Sequence, residues 1–169
     1  VKDDPFLDLI LEALNLCHPR FALAFGSEYS PGDALAKRRE RERPFLCEFY
    51  HQFRHLWERG LPGRLGLGHL VVQGEPKDLG PLPDLLFWRL GEAGQPDQRT
   101  GAVSLSFLTN PETIADNGEL LSRFQREHGY PMAVSVVVGA FSNLEADALP
   151  SFAGVTYVRY DTQRRQARA

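Results

Sequence analysis

Apolar residues recur at helical spacing in three stretches of this chain and cluster at strand spacing in five others. That alternation predicts helices interleaved with strands, and so an α/β layered domain. Phe6, Leu9, Ile10, Ala13, Leu14 and Leu16 share a face of a helix over 5–16, capped by Asp3 or Asp4 and stopped at His18-Pro19. Residues 26–33, rich in glycine, serine and proline, read as a loop. Over 45–59 the apolar face is Leu46, Phe49, Tyr50, Phe53, Leu56 and Trp57, ended by Gly60-Leu61-Pro62-Gly63.

Strands are expected at 69–73, 84–90, 102–108, 132–138 and 155–160. The second is apolar on both sides, as in a strand covered on both faces. Gly91 to Gly101 reads as a polar, hairpin-like connection. Between the third and fourth strands lies a helix capped by Asn110, with Pro111 in its first turn and Gly129 at its end. Asn117-Gly118 predicts a kink within it, and residues 162–169 read as a frayed end.

With 169 residues the chain suits one domain spanning 1–169 and is short for two. An apolar fraction of 43% with 18 aromatic residues argues for a packed core. The net charge of −3 gives no bulk attraction for nucleic acid, so such a partner needs a local basic patch. One candidate is Lys37, Arg38, Arg39, Arg41 and Arg43, which with two acids precede Pro44; the same segment also reads as a solvated helix or linker. Cys17 and Cys47 form no metal motif, which fits a reducing cytoplasm, although one disulfide stays open. No apolar run approaches the ~20 residues needed to span a bilayer, so no membrane partner is expected. No signal peptide is visible.

One ordered set of residues carries candidate chemistry. Glu48 lies on the 45–59 helix, Pro83-Asp84 opens the second strand, and Val103-Ser104-Leu105-Ser106-Phe107 forms the third. This layout resembles the core of the PD-(D/E)XK nuclease superfamily, over about residues 44–140. The resemblance implies a restriction-endonuclease-like αβββαβ core, a mixed sheet flanked by helices. To it are added an N-terminal helical extension (1–43) and a C-terminal strand. It also implies a Mg²⁺ site: Asp84 falls at the family aspartate, and Ser104 and Ser106 at the positions of its second acid and its lysine. Serine supplies neither the negative charge that holds the ion nor the cation that meets developing charge. Relocated groups could restore the set: Glu75 or Glu112 as an acid, Lys77 as the cation, Arg89 or Arg123 in its place, with Glu48 as an outlying ligand.

Other chemistry is thinly represented. His51 and His55 have zinc-ligand spacing, but Gln52 stands where a general base is needed. Phe25-Gly26-Ser27 resembles the opening of a nucleotidyltransferase site, yet Asp33-Ala34-Leu35 has no second acid. The first functional expectation is a nuclease-like protein with a degenerate metal site, catalytically inactive and acting in DNA or RNA binding or as a scaffold, with no cofactor. Second comes an active Mg²⁺-dependent nuclease with migrated residues. Third comes a protein-interaction module, with a protein partner or a homodimer.

Overall fold

A computed structural model describes residues 4–23, 34–68, 70–74, 82–91, 94–108, 111–141 and 149–169, with the backbone alone at 23 and 34–43. The elements are α1 (Pro5–Leu16), α2 (Arg20–Leu23), α3 (Ala34–Glu58), α4 (Leu61–Arg64), β1 (Leu70–Gly74), β2 (Leu85–Arg89), β3 (Gln98–Phe107), α5 (Pro111–His128), β4 (Met132–Gly139), β5 (Val155–Asp161) and β6 (Gln166–Arg168). The expected 26–33 loop, Asn110, Glu75 and Lys77 lie outside the described residues.

Helix α1 starts where the sequence indicates. The Asp4 carboxylate accepts the N–H groups of Phe6 and Leu7 at 2.9 and 3.1 Å, and Pro5 occupies the first turn. Helix α3 is longer than the 45–59 reading, since it runs through Pro44 from Ala34. Proline removes one intrahelical bond. The aromatic face that begins at Phe45 anchors the helix on its C-terminal side: Phe45, Phe49 and Phe53 are all fully buried. Each such burial contributes about 1.5–3 kcal/mol.

The six strands form one mixed open sheet in the order β1-β2-β3-β4-β5-β6. Neighbours pair antiparallel from β1 to β3, parallel from β3 to β5, and antiparallel again at β5-β6. Alternate residues of each strand face opposite layers. Val103, Leu105, Val134, Val136, Val158 and Tyr160 pack with α1 and α3. Ala102, Ala133 and Leu86 face the other way, against Leu121 and Phe124 of α5. The layering expected from the sequence is therefore present, with helices on both faces.

Three local expectations are corrected. Strand β3 begins at Gln98, inside the expected polar connection, because the antiparallel ladder with β2 continues to Arg89↔Gln98. Asn117-Gly118 does not interrupt α5. Glycine is there because a Cβ at 118 would lie within van der Waals contact of the Tyr157 hydroxyl and 2.6 Å from the Phe152 ring. The 162–169 end is not frayed. The Asp161 carboxylate accepts Gln163 N–H at 2.9 Å and Arg164 N–H at 3.1 Å, turning the chain into β6. There Ala167 is buried and donates its N–H to the Asn15 side chain at 2.7 Å. Gly129 does end α5 as expected, at φ 66°. No helix among the described residues is long and apolar enough to cross a membrane.

Replacing Gly118 by Ala is expected to lower the unfolding free energy by about 1–3 kcal/mol despite alanine's better helix propensity. Urea denaturation checks this; an unchanged midpoint would contradict the close packing of α5 on β5. Tyr160 supplies a second test. Its hydroxyl donates to the Cys17 carbonyl at 2.7 Å, and burial, reinforced by Cys17, raises its pKa from 10.0 to about 12. That contribution is complete below pH 10.0 and is lost as pH rises through about 12. Tyr160→Phe should cost about 1–3 kcal/mol at neutral pH. In pH-stepped denaturation, the gap to wild type should close over that alkaline window.

Candidate functional site

Strand β3 builds the site because its alternate residues carry opposite chemistry. Val103 and Leu105 face α3, while Ser104 and Ser106 face α5. Along the sheet register, Ser104 lies beside Ser135 of β4, which lies beside Tyr157 of β5. Ser106 lies beside Val137 and then Arg159. A polar row therefore crosses the parallel strands beneath α5. Ser104, Ser106 and Ser135 are all sealed, at 1%, 0% and 0% exposure.

Asp84 closes this row on the β2 side. The β2-β3 ladder ends at Leu85↔Val103, so Asp84 stands opposite Ser104 at the strand's first step. Its Oδ2 accepts the Leu105 N–H at 2.6 Å, so a side chain takes the place of the next ladder rung. From α5, the Asn117 amide donates to the Leu105 carbonyl at 3.1 Å and to the Ser106 Oγ at 2.8 Å. Asp84 and Asn117 thus serve the two backbone groups of one residue, and tie β2 and α5 to the centre of β3. Tyr157 has its phenol pKa raised by burial. Neither its hydroxyl nor Ser135 Oγ makes a hydrogen bond among the described residues.

The sequence-derived candidates divide into three groups. Asp84, Ser104 and Ser106 come together on one face, as their register implied. Glu48 does not join them: it lies on α3, the helix that covers the other face, and accepts a hydrogen bond from Gln52 at 2.9 Å. Glu75 and Lys77 lie outside the described residues. So do the side chains of Lys37, Arg38, Arg39, Arg41 and Arg43, whose backbone is the N-terminal part of α3. Of the remaining candidates, Glu112 is exposed in the first turn of α5, Arg123 is exposed later in that helix, and Arg89 is exposed at the end of β2.

Magnesium prefers several hard, preferably charged oxygens together with some of its own waters. The described residues offer one carboxylate already bonded to an amide, two sealed hydroxyls and an amide NH₂. That set does not fit the ion. No cluster of three or more His, Cys, Asp or Glu groups suited to a metal occurs among the described residues. Among the described residues, His51 and His55 likewise stand without a third ligand. The arrangement can hold β2, β3 and α5 in register.

Asn117 is the member that sequence reasoning missed. It was read as a break, yet it falls three residues after Ile114 and four before Leu121, on the buried face of α5. A polar residue on such a face signals a partner in the opposing layer. Compared with known proteins, the chain matches no protein-family model, no curated protein and no solved structure.

Ser106→Ala is expected to cost about 1 kcal/mol, since the Asn117 amide loses an acceptor in a sealed layer. Ser135→Ala should be neutral or slightly stabilising, because its hydroxyl is buried without a partner. Chemical denaturation of the two variants side by side checks this contrast; the reverse order would contradict the network.

Proposed function

We propose that this chain is a nuclease-like α/β protein that has lost metal-dependent chemistry and serves to bind nucleic acid. The observation that carries the reading is the state of the Asp84 layer. The carboxylate is engaged by a backbone amide, and the two positions that a nuclease would fill with an acid and a lysine are sealed serines. The order of elements supports the nuclease-like part: α3, then the antiparallel meander β1-β2-β3, then α5 leading to β4 parallel to β3.

Charge distribution supports the binding part. Residues 34–43 and 161–169 together with Arg20 hold nine of the 19 basic side chains but three of the 22 acids. The first two segments each adjoin, in the chain, a residue at one end of the sheet. Phe45 lies 5.2 Å from the Tyr160 ring and 6.4 Å from that of Phe107, at the carboxyl ends of β5 and β3. Helix α3 continues N-terminally from that point through the basic run. The β5-β6 turn, with exposed Arg164 and Arg165, springs from the same end of β5. Asp161 pairs with Arg164 at 2.9 Å, which leaves Arg165 with the unbalanced charge of the turn. In open α/β sheets, ligands bind outside the carboxyl ends of the strands. A positive end on a chain of net charge −3 orients the molecule toward a polyanion.

Labelled single- and double-stranded DNA and RNA, incubated with Mg²⁺ or Mn²⁺, test both parts. The expected result is no cleavage and salt-sensitive retention. Arg164→Gln with Arg165→Gln should lower the slope of log K against log salt by about two on duplex DNA. Cleavage that Asp84→Ala abolishes would instead mean a live nuclease with relocated groups. Neither cleavage nor retention would point to a scaffold for protein partners.

A further inference from the structure

The β5-β6 turn is closed by the pair Asp161↔Gln166, so four residues, Thr162 to Arg165, reverse the chain. The Asp161 carboxylate fixes the first half of the reversal by accepting the N–H groups of Gln163 and Arg164. The chain then enters β6 through one residue in the left-handed region, Arg165 at φ 53°. Among the described residues, positive φ otherwise falls only on glycine, at six positions that include Gly129 and Gly154. In this region a Cβ is crowded against the backbone, a contact that glycine avoids. The turn would therefore close more easily with glycine at 165.

The Arg165 side chain forms no bond that offsets this cost. It is exposed, and among the described residues its guanidinium takes part in no hydrogen bond or ion pair. Its neighbours differ. Arg164 is held by Asp161 at 2.9 Å, and the Arg168 guanidinium donates to the Gln166 side chain at 2.8 and 3.2 Å.

We propose that Arg165 is a phosphate contact, presented by the left-handed turn to a backbone phosphodiester of a nucleic acid, and that the turn gives up stability for that contact. This rests on the nucleic-acid reading above and assigns a role to one residue of that surface. A guanidinium that its own chain leaves unengaged keeps its N–H fork for an outside acceptor, and phosphate oxygens match that fork. The turn springs from the carboxyl end of β5, the end at which open α/β sheets take their ligands. A contact of this kind fixes position on the strand and carries no sequence information.

Arg165→Gly separates the two halves of the proposal. Without nucleic acid, its urea midpoint should rise above the wild type, since the left-handed residue loses its Cβ. In retention of duplex DNA, the slope of log K against log salt should fall by about one. Arg165→Lys keeps both the charge and the Cβ, and should keep the wild-type midpoint and slope. Arg123→Gln removes an exposed arginine from the half of α5 that runs toward the amino ends of the parallel strands, and should leave the slope unchanged. A midpoint that does not rise in Arg165→Gly would overturn the proposal, because the side chain would then be supporting the fold. So would an equal fall in slope for Arg123→Gln. Wild-type retention with an unchanged slope in Arg165→Gly would overturn this assignment alone. A wild type that is not retained at all would overturn the binding reading and this assignment together.

Discussion

Strand β3 has to be covered by two different layers at once, and the rest of the structure follows from how it meets that requirement. It pairs antiparallel with β2 on one side and parallel with β4 on the other. One of its faces is hydrocarbon, met by the aromatic stripe of α3. Its other face alternates small and polar residues, met by α5. A parallel strand at the centre of a sheet is shut off from water, so any polar group on it must find a partner inside. The Asp84 carboxylate and the Asn117 amide are those partners for Leu105, and their cost in desolvation is offset by tying three elements together.

This accounts for the chemistry of the site as well as its stability. A carboxylate at the start of β2 beside β3 is the geometry from which a metal site is built. Here the same geometry is used to extend a hydrogen-bond ladder. Ser104 and Ser106 are small enough to let α5 approach, and Ser106 accepts from the Asn117 amide. Function, in this reading, moves away from the centre of the sheet to its basic end. There the exposed Arg164 and Arg165 of the β5-β6 turn lie beside the carboxyl ends of the parallel strands. Charge asymmetry over a chain of modest net charge is what remains to attract a ligand.

Much of the fold was legible because periodicity reports burial directly. The α1 cap, the α3 stripe, the β4 run and the Gly129 stop are all local signals with one physical meaning each. What escaped the sequence was nonlocal. Gly118 reads as a helix interruption until Tyr157 and Phe152 are placed against it. The β6 strand has a single buried residue, and its edge bond comes from Asn15, about 150 positions earlier. Phe45 has no place on the apolar face read from 45–59, yet it is the aromatic that joins α3 to Tyr160. For the candidate site, the pairing of Asp84 with Ser104 and Ser106 was visible from i, i+2 spacing and strand order. The hydrogen-bonding role of Asp84 was not, because it depends on where the β2-β3 ladder stops.

The central claim is that Asp84 is a structural acceptor and not a metal ligand. Thermal unfolding of wild type and Asp84→Ala, each with and without excess Mg²⁺, tests it most directly. The account predicts that the substitution lowers stability by about 1–3 kcal/mol, through the orphaned Leu105 amide, and that Mg²⁺ leaves both melting temperatures where they were. A wild-type melting temperature that rises with Mg²⁺, coupled to an Asp84→Ala protein that folds as well as wild type and shows no such rise, would contradict it.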